Sequence, residues 1–130
     1  MRNTIATIAV IDDDESIRHS LRQLLRAADF DALTFGSAEE YLDAGDAGRA
    51  DCLIVDVNLP GMSGVALVRV LTEARNTTPV ILITARDDRT TAELIQAVGG
   101  VPHLRKPFGD RDLFATLRRL LPDRLPAADW

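Results

Sequence analysis

Two hydrophobic rhythms alternate along this chain. Short, nearly unbroken apolar runs occupy residues 5–11, 32–35, 52–56, 80–84 and 101–105, and most are rich in Ile, Val and Leu. Runs of this length and composition read as strands, with both faces buried as in a parallel sheet. Behind each run, apolar residues return every three or four positions: Ile17, Leu21, Leu24, Leu25 and Ala28 after the first, Tyr41 and Leu42 after the second, and Val65, Leu67, Val68 and Leu71 after the third. Leu94, Ile95 and Val98 follow the fourth, and Leu113, Phe114, Leu117, Leu120 and Leu121 the fifth. That spacing predicts five amphipathic helices.

Turn chemistry sharpens the joints. Ser37-Ala38-Glu39-Glu40 matches a capping box, in which the Ser side chain and the Glu three residues on satisfy each other's backbone donors, so the second helix should start there and end near Gly45 or Gly48. The breaker-rich segment 58–64 separates the third strand from the third helix, Pro79 opens the fourth strand, Gly99-Gly100 stops the fourth helix and Pro122 ends the last. Five strands alternating with five helices predict a three-layer α/β sandwich around a parallel sheet with right-handed crossovers.

Composition narrows the function classes. At 130 residues the chain fits one domain able to bury a sizeable core without metal or disulfide staples. Twenty acidic against fifteen basic residues, with no cluster of Lys or Arg, disfavour direct nucleic-acid binding and favour a protein partner. The single Cys52 lies in an apolar run with no second Cys to pair with, consistent with a buried thiol and a cytoplasmic location. The N-terminal apolar stretch runs straight into three aspartates, which fits a strand rather than a signal peptide, and no stretch approaches the roughly 20 apolar residues of a membrane span.

The candidate chemistry sits where the apolar runs stop. One run ends in Asp12-Asp13-Asp14, another in Asp56, a third in Thr84 and a fourth in Arg105-Lys106-Pro107-Phe108. Parallel strands place their carboxyl ends along one edge, where open α/β sheets bind their ligands. Asp12 and Asp13, leaving the sheet, can both turn toward that crevice and meet Asp56. Three carboxylates within about 4 to 5 Å repel by several kcal/mol at a protein-like dielectric, and a divalent cation removes that penalty. An all-oxygen donor set implies a hard ion such as Mg²⁺ over Zn²⁺. Asp14 and Glu15 read instead as caps of the first helix. Lys106 either pairs with the carboxylates or grips a transferred phosphate, and the following Pro107 suggests a fixed, cis-compatible peptide. Thr84 gains weight only from sharing the edge.

These residues resemble the response-regulator receiver domain of bacterial two-component signalling, the CheY-like superfamily. The resemblance covers residues 5–121 and rests on Ile11-Asp12-Asp13-Asp14-Glu15, the run from Ile54 through Asp56 and Asn58 to Gly64, Ile83-Thr84-Ala85 and Lys106-Pro107-Phe108. It implies a doubly wound (βα)5 fold of the flavodoxin-like type, with a five-stranded parallel sheet in the order 2-1-3-4-5. Residues 1–121 would form the receiver and residues 122–130 a short tail or the start of a linker.

By the same resemblance Asp56 is the phosphoacceptor, phosphorylated by a sensor histidine kinase or a histidine phosphotransfer protein. Asp13 and Asp56 bind Mg²⁺ directly, Asp12 acts largely through water, and the Asn58 backbone carbonyl completes the protein ligands. Lys106 and Thr84 contact the phosphoryl oxygens. Phosphorylation would switch partner binding, or homodimerisation through the face of the fourth helix, fifth strand and fifth helix, in a stand-alone receiver or relay intermediate that is not a turnover enzyme. Asn58 and Arg86 occupy positions that in this family tune phosphoryl lifetime. One departure stands out: three residues before Lys106, where such receivers usually carry Tyr or Phe, this chain has His103 after Pro102. That leaves a phosphorylation-independent docking module as the alternative. A haloacid-dehalogenase-type phosphohydrolase would need a second Asp where Asn58 stands, on the first strand rather than the third, and an FMN carrier would place its phosphate against Asp12 to Asp14, which repel it.

Overall fold

The computed structural model describes residues 6–85 and 88–123, so Ile5, Arg86 and Trp130 lie outside the described residues. Strands and helices alternate as β1 (Thr7–Ile11), α1 (Glu15–Ala27), β2 (Asp31–Phe35), α2 (Ala38–Ala44), β3 (Cys52–Asp56), α3 (Gly64–Glu73), β4 (Val80–Thr84), α4 (Arg89–Ala97), β5 (His103–Arg105) and α5 (Asp110–Leu120), with a 3-10 turn at Gly45–Gly48 after α2. All neighbouring strands pair in parallel, in the order β2-β1-β3-β4-β5.

The unbroken apolar runs follow from this topology. Ile8, Val10, Ile54, Ile81 and Ile83 pack on one side of the sheet with Leu21 and Leu25 of α1 and Leu113 and Leu117 of α5. The alternating residues Ala9, Ile11, Leu53, Val55 and Leu82 pack on the other with Ala38, Leu67, Val68, Leu71 and Ile95. A strand covered on both faces has no solvent side, so a polar residue inside it would lack water or a partner. Each of these large side chains contributes about 1.5–3 kcal/mol by leaving water, and truncating one such as Leu67 to Ala would cost about 2–5 kcal/mol. Cys52 is fully buried here, and burial pushes its thiol up to about 12, which keeps it protonated and inert.

Caps fix the helix starts. Asp14 accepts from the Ser16 and Ile17 amides, Ser63 from Ala66, and Asp88 from Thr91. The expected capping box at α2 forms only in part. Ser37 accepts from the Glu40 amide at 3.0 Å, but the Glu40 carboxylate accepts from Gly36, one residue before the cap. The fifth strand is shorter than the expected 101–105. Pro102 has no N–H to donate, so the strand begins at His103, while the Pro102 carbonyl still accepts the Leu82 amide at 2.9 Å.

Candidate functional site

The carboxyl ends of β1, β3 and β4 and the segment after β5 meet along one edge, and local backbone bonds decide how each side chain arrives there. After β1 the ladder continues for one residue, the Asp12 amide donating to the Phe35 carbonyl at 3.1 Å. The chain then turns: Asp12 Oδ1 accepts from the Asp14 amide at 2.9 Å, and Asp14 starts α1. Asp12 is thereby buried, only 1% exposed, while Asp13 next to it is open to solvent. One turn into α1, the Arg18 guanidinium reaches back and donates to the Asp12 carbonyl at 2.8 Å.

Asp56 is the last residue of β3 and is 6% exposed. The Val57 amide donates to Ile83 and the Val57 carbonyl accepts from Gly64, so the chain is pinned on both sides of the turn into α3. Asp56 Oδ1 accepts from the Asn58 amide at 2.8 Å. Gly64 passes so close to the end of β3 that a Cβ there would sit 3.0 Å from the Val57 Cα and nearer still to the Asp56 carbonyl. A side chain at this position would push α3 away from the acid.

Lys106 closes the cluster. Its amide donates to the Thr84 carbonyl at 2.8 Å, and its peptide to Pro107 is cis. The ammonium lies 3.0 Å from Asp56 Oδ2 and 3.2 Å from Asp12 Oδ2, bridging two strands. Thr84 ends β4 and is 3% exposed.

The expected acidic trio does assemble, with one carboxylate oxygen each from Asp12, Asp13 and Asp56 within 4.8 Å of one another. Three carboxylates facing a single ammonium carry an excess of two negative charges. At the effective dielectric of such sites each like-charge pair costs on the order of 3 kcal/mol. Burial and the nearby Asp56 charge raise the Asp12 pKa, against the opposing pull of the Asp14 amide and Lys106. At Lys106, burial favours the neutral amine, but the hydrogen bonds and charges of Asp56 and Asp12 together outweigh it and raise its pKa, so it stays an ammonium through the neutral range. Oxygen donors with an uncompensated charge of two fit a hard divalent cation. Asn58 contributes its amide to Asp56 and is itself exposed.

This arrangement agrees with relationships across the chain's length. A family model for the response regulator receiver domain matches residues 8–118. The chain belongs to the response regulator receiver family. It is 34% identical over 121 residues to the transcriptional regulatory protein FixJ of Bradyrhizobium diazoefficiens, a match covering 93% of this chain and 59% of FixJ. It is 35% identical over 112 residues to the DNA-binding transcriptional regulator NtrC of Klebsiella pneumoniae, covering 86% of this chain and 24% of NtrC. The chain therefore spans about three fifths of FixJ and a quarter of NtrC. Among solved structures it superimposes on the Vibrio cholerae chemotaxis protein CheY4 with a TM-score of 0.79 at 30% identity, covering 91% of this chain and all of the other, and on the BeF3-activated DrrB receiver domain with a TM-score of 0.81 at 29% identity, covering 92% and 99%. Receiver domains are signalling phosphoacceptors, and response regulators work with histidine kinases. Among the described residues, no helix is long and apolar enough to cross a membrane.

Three contacts around the site have roles that a reading of the sequence does not show. Arg18 holds the Asp12 carbonyl, Gly64 makes room at the end of β3, and Glu39 of α2 accepts the Met62 amide at 2.9 Å, across 23 residues of sequence. Only Gly64 lay in a segment already marked by its breakers. Arg18 and Glu39 look like ordinary solvated helix residues until the fold brings their partners near.

Proposed function

We propose that Asp56 accepts a phosphoryl group from a phosphohistidine on a sensor histidine kinase or histidine phosphotransfer protein. The Asp56 carboxylate attacks phosphorus, the P–N bond breaks, an acyl phosphate forms, and the imidazole leaves with the bonding electron pair and takes up a proton from solvent. The observation that carries this reading is the buried Asp56 carboxylate held on one oxygen by the Asn58 amide and on the other by Lys106, beside two further acids. A carboxylate fixed on both oxygens enters the reaction with little orientation left to lose, and positioning with charge neutralisation supplies most of the catalysis in phosphoryl transfer.

Lys106 is already an ammonium and lies 3.0 Å from the attacking group, so a short movement lets it follow the charge onto the phosphoryl oxygens. Thr84, at the next strand end, would donate its hydroxyl to another of those oxygens. Asp13 and Asp56, with the Asn58 carbonyl and with Asp12 acting through water, would hold Mg²⁺. When bound there, the ion would neutralise charge on the transferring group.

The acyl phosphate then shifts a pre-existing equilibrium on the α4-β5-α5 face, changing partner affinity or homodimerisation. Residues 1–121 act as the receiver unit and residues 122–130 as a tail or linker start, in a cytoplasmic protein that is phosphorylated rather than turning over a substrate. The alternative, a docking module independent of phosphorylation, draws on the exposed His103 at the start of β5. Intact mass after incubation with acetyl phosphate separates the two. A Mg²⁺-dependent gain of one phosphoryl group, absent in Asp56→Asn, supports the phosphoacceptor; no gain in the wild type favours the docking module.

A further inference from the structure

We infer that Glu39 is a positioning residue of the phosphorylation site: its carboxylate clamps the β3–α3 loop and so keeps the Asn58 backbone beside Asp56, without touching either. This rests on the reading of Asp56 and Asn58 as the metal and phosphoryl site. Glu39 lies in the first turn of α2, a helix that supplies no group to the acidic trio. Its Oε2 accepts the Met62 amide at 2.9 Å, midway along the segment that joins Asn58 to the start of α3 at Gly64.

A second observation makes the clamp specific. Gly61 has φ +72, and a Cβ there would sit 2.6 Å from the same Glu39 Oε2. The loop therefore passes close under the carboxylate in a left-handed conformation that glycine adopts freely, and the space a side chain would fill is occupied by Glu39. Donor and clearance come from adjacent loop residues and converge on one oxygen.

The remaining loop bonds show what the clamp adds. Val57 is tied to Ile83 and Gly64, and Asn58 donates to Asp56. Ser63 is occupied in capping α3 through the Ala66 amide. Between Asn58 and Ser63, Leu59 is buried in the core, and the Met62 amide is tied to α2 by the Glu39 contact. Relaxing it lets the loop, and with it the Asn58 carbonyl, sample positions that do not converge with Asp13 and Asp56. A metal site loses affinity when the groups orienting its ligands are removed.

The test uses the full chain as wild type, Glu39→Ala and Glu39→Gln. Three quantities are read: Mg²⁺ affinity by calorimetry, exchange of the Met62 amide, and Asp56 phosphorylation by acetyl phosphate at low and saturating Mg²⁺. Glu39→Ala should deprotect the Met62 amide and weaken Mg²⁺ binding by about three- to tenfold, the size expected for one lost hydrogen bond. Phosphorylation should fall by a similar factor at low Mg²⁺ and recover at saturation. Glu39→Gln keeps a carbonyl acceptor and should recover most of the affinity. Unchanged Mg²⁺ affinity in Glu39→Ala overturns the inference, as does an equal loss in both variants, which would assign the effect to charge alone. If wild type neither binds Mg²⁺ nor becomes phosphorylated, the site reading itself fails and the inference with it, an outcome distinguishable because it appears before any variant is compared.

Discussion

The two ends of this sheet both carry aspartates and use them in opposite ways. At the amino edge, Asp51 and Thr7 hold each other: the Asp51 carboxylate accepts the Thr7 amide at 2.7 Å, and the Asp51 amide donates to the Thr7 carbonyl at the same distance. At the carboxyl edge, Asp12, Asp13 and Asp56 crowd together against one ammonium. The first acid stabilises the fold by satisfying a backbone donor. The second group leaves electrostatic repulsion in place, which a bound divalent cation would relieve.

Removing groups from each edge should show this asymmetry. The largest effect belongs to Asp56→Asn, which should abolish phosphorylation by acetyl phosphate as read by intact mass. Lys106→Met should slow phosphorylation by about a hundredfold or more in a stopped-time assay, the order seen when a group stabilising transition-state charge is lost. Gly64→Ala should cost about 1–3 kcal/mol in denaturant unfolding, because the added methyl meets backbone that cannot rotate away.

A smaller effect of opposite sign is expected from Asp12→Asn, which should stabilise the metal-free protein at neutral pH by on the order of 1–2 kcal/mol, as two repulsions are removed against one attraction. The pH dependence follows from the raised pKa. A carboxyl that holds its proton more tightly when folded favours the folded state at low pH and loses that contribution as pH rises through its ordinary value of 3.8 toward the raised one. The advantage of Asp12→Asn should thus be small below pH 3.8 and complete at neutral pH. At the other edge, Asp51→Ala should cost about 1 kcal/mol and leave phosphorylation unchanged.

Legibility in the sequence followed the same division. Strand cores and helix stripes were readable because burial on both faces imposes continuous apolar runs at Ile8–Ile11 and Ile81–Ile83, and the acids at the strand ends stood out against them. Two helix ends were silent: α1 and α3 give way to Asp29 and Arg75 at positive φ, with the following amides of Phe30 and Asn76 bonding back to Leu25 and Leu71. Neither carries the Gly that marked the end of α4 at Gly99. Arg18 and Glu39 were silent for a related reason. Their partners are backbone groups, the Asp12 carbonyl and the Met62 amide, and a backbone group leaves no residue-type signature for a sequence to display.

The measurement that bears most directly on the charged edge is thermal unfolding of wild type and Asp13→Asn with and without millimolar Mg²⁺. Binding to the folded state alone should raise the wild-type midpoint, by about 2.7 kcal/mol of stability at a hundredfold excess over the dissociation constant, and Asp13→Asn should lose most of that gain. Equal shifts in both proteins, or none in the wild type, would contradict a cation site built from these acids.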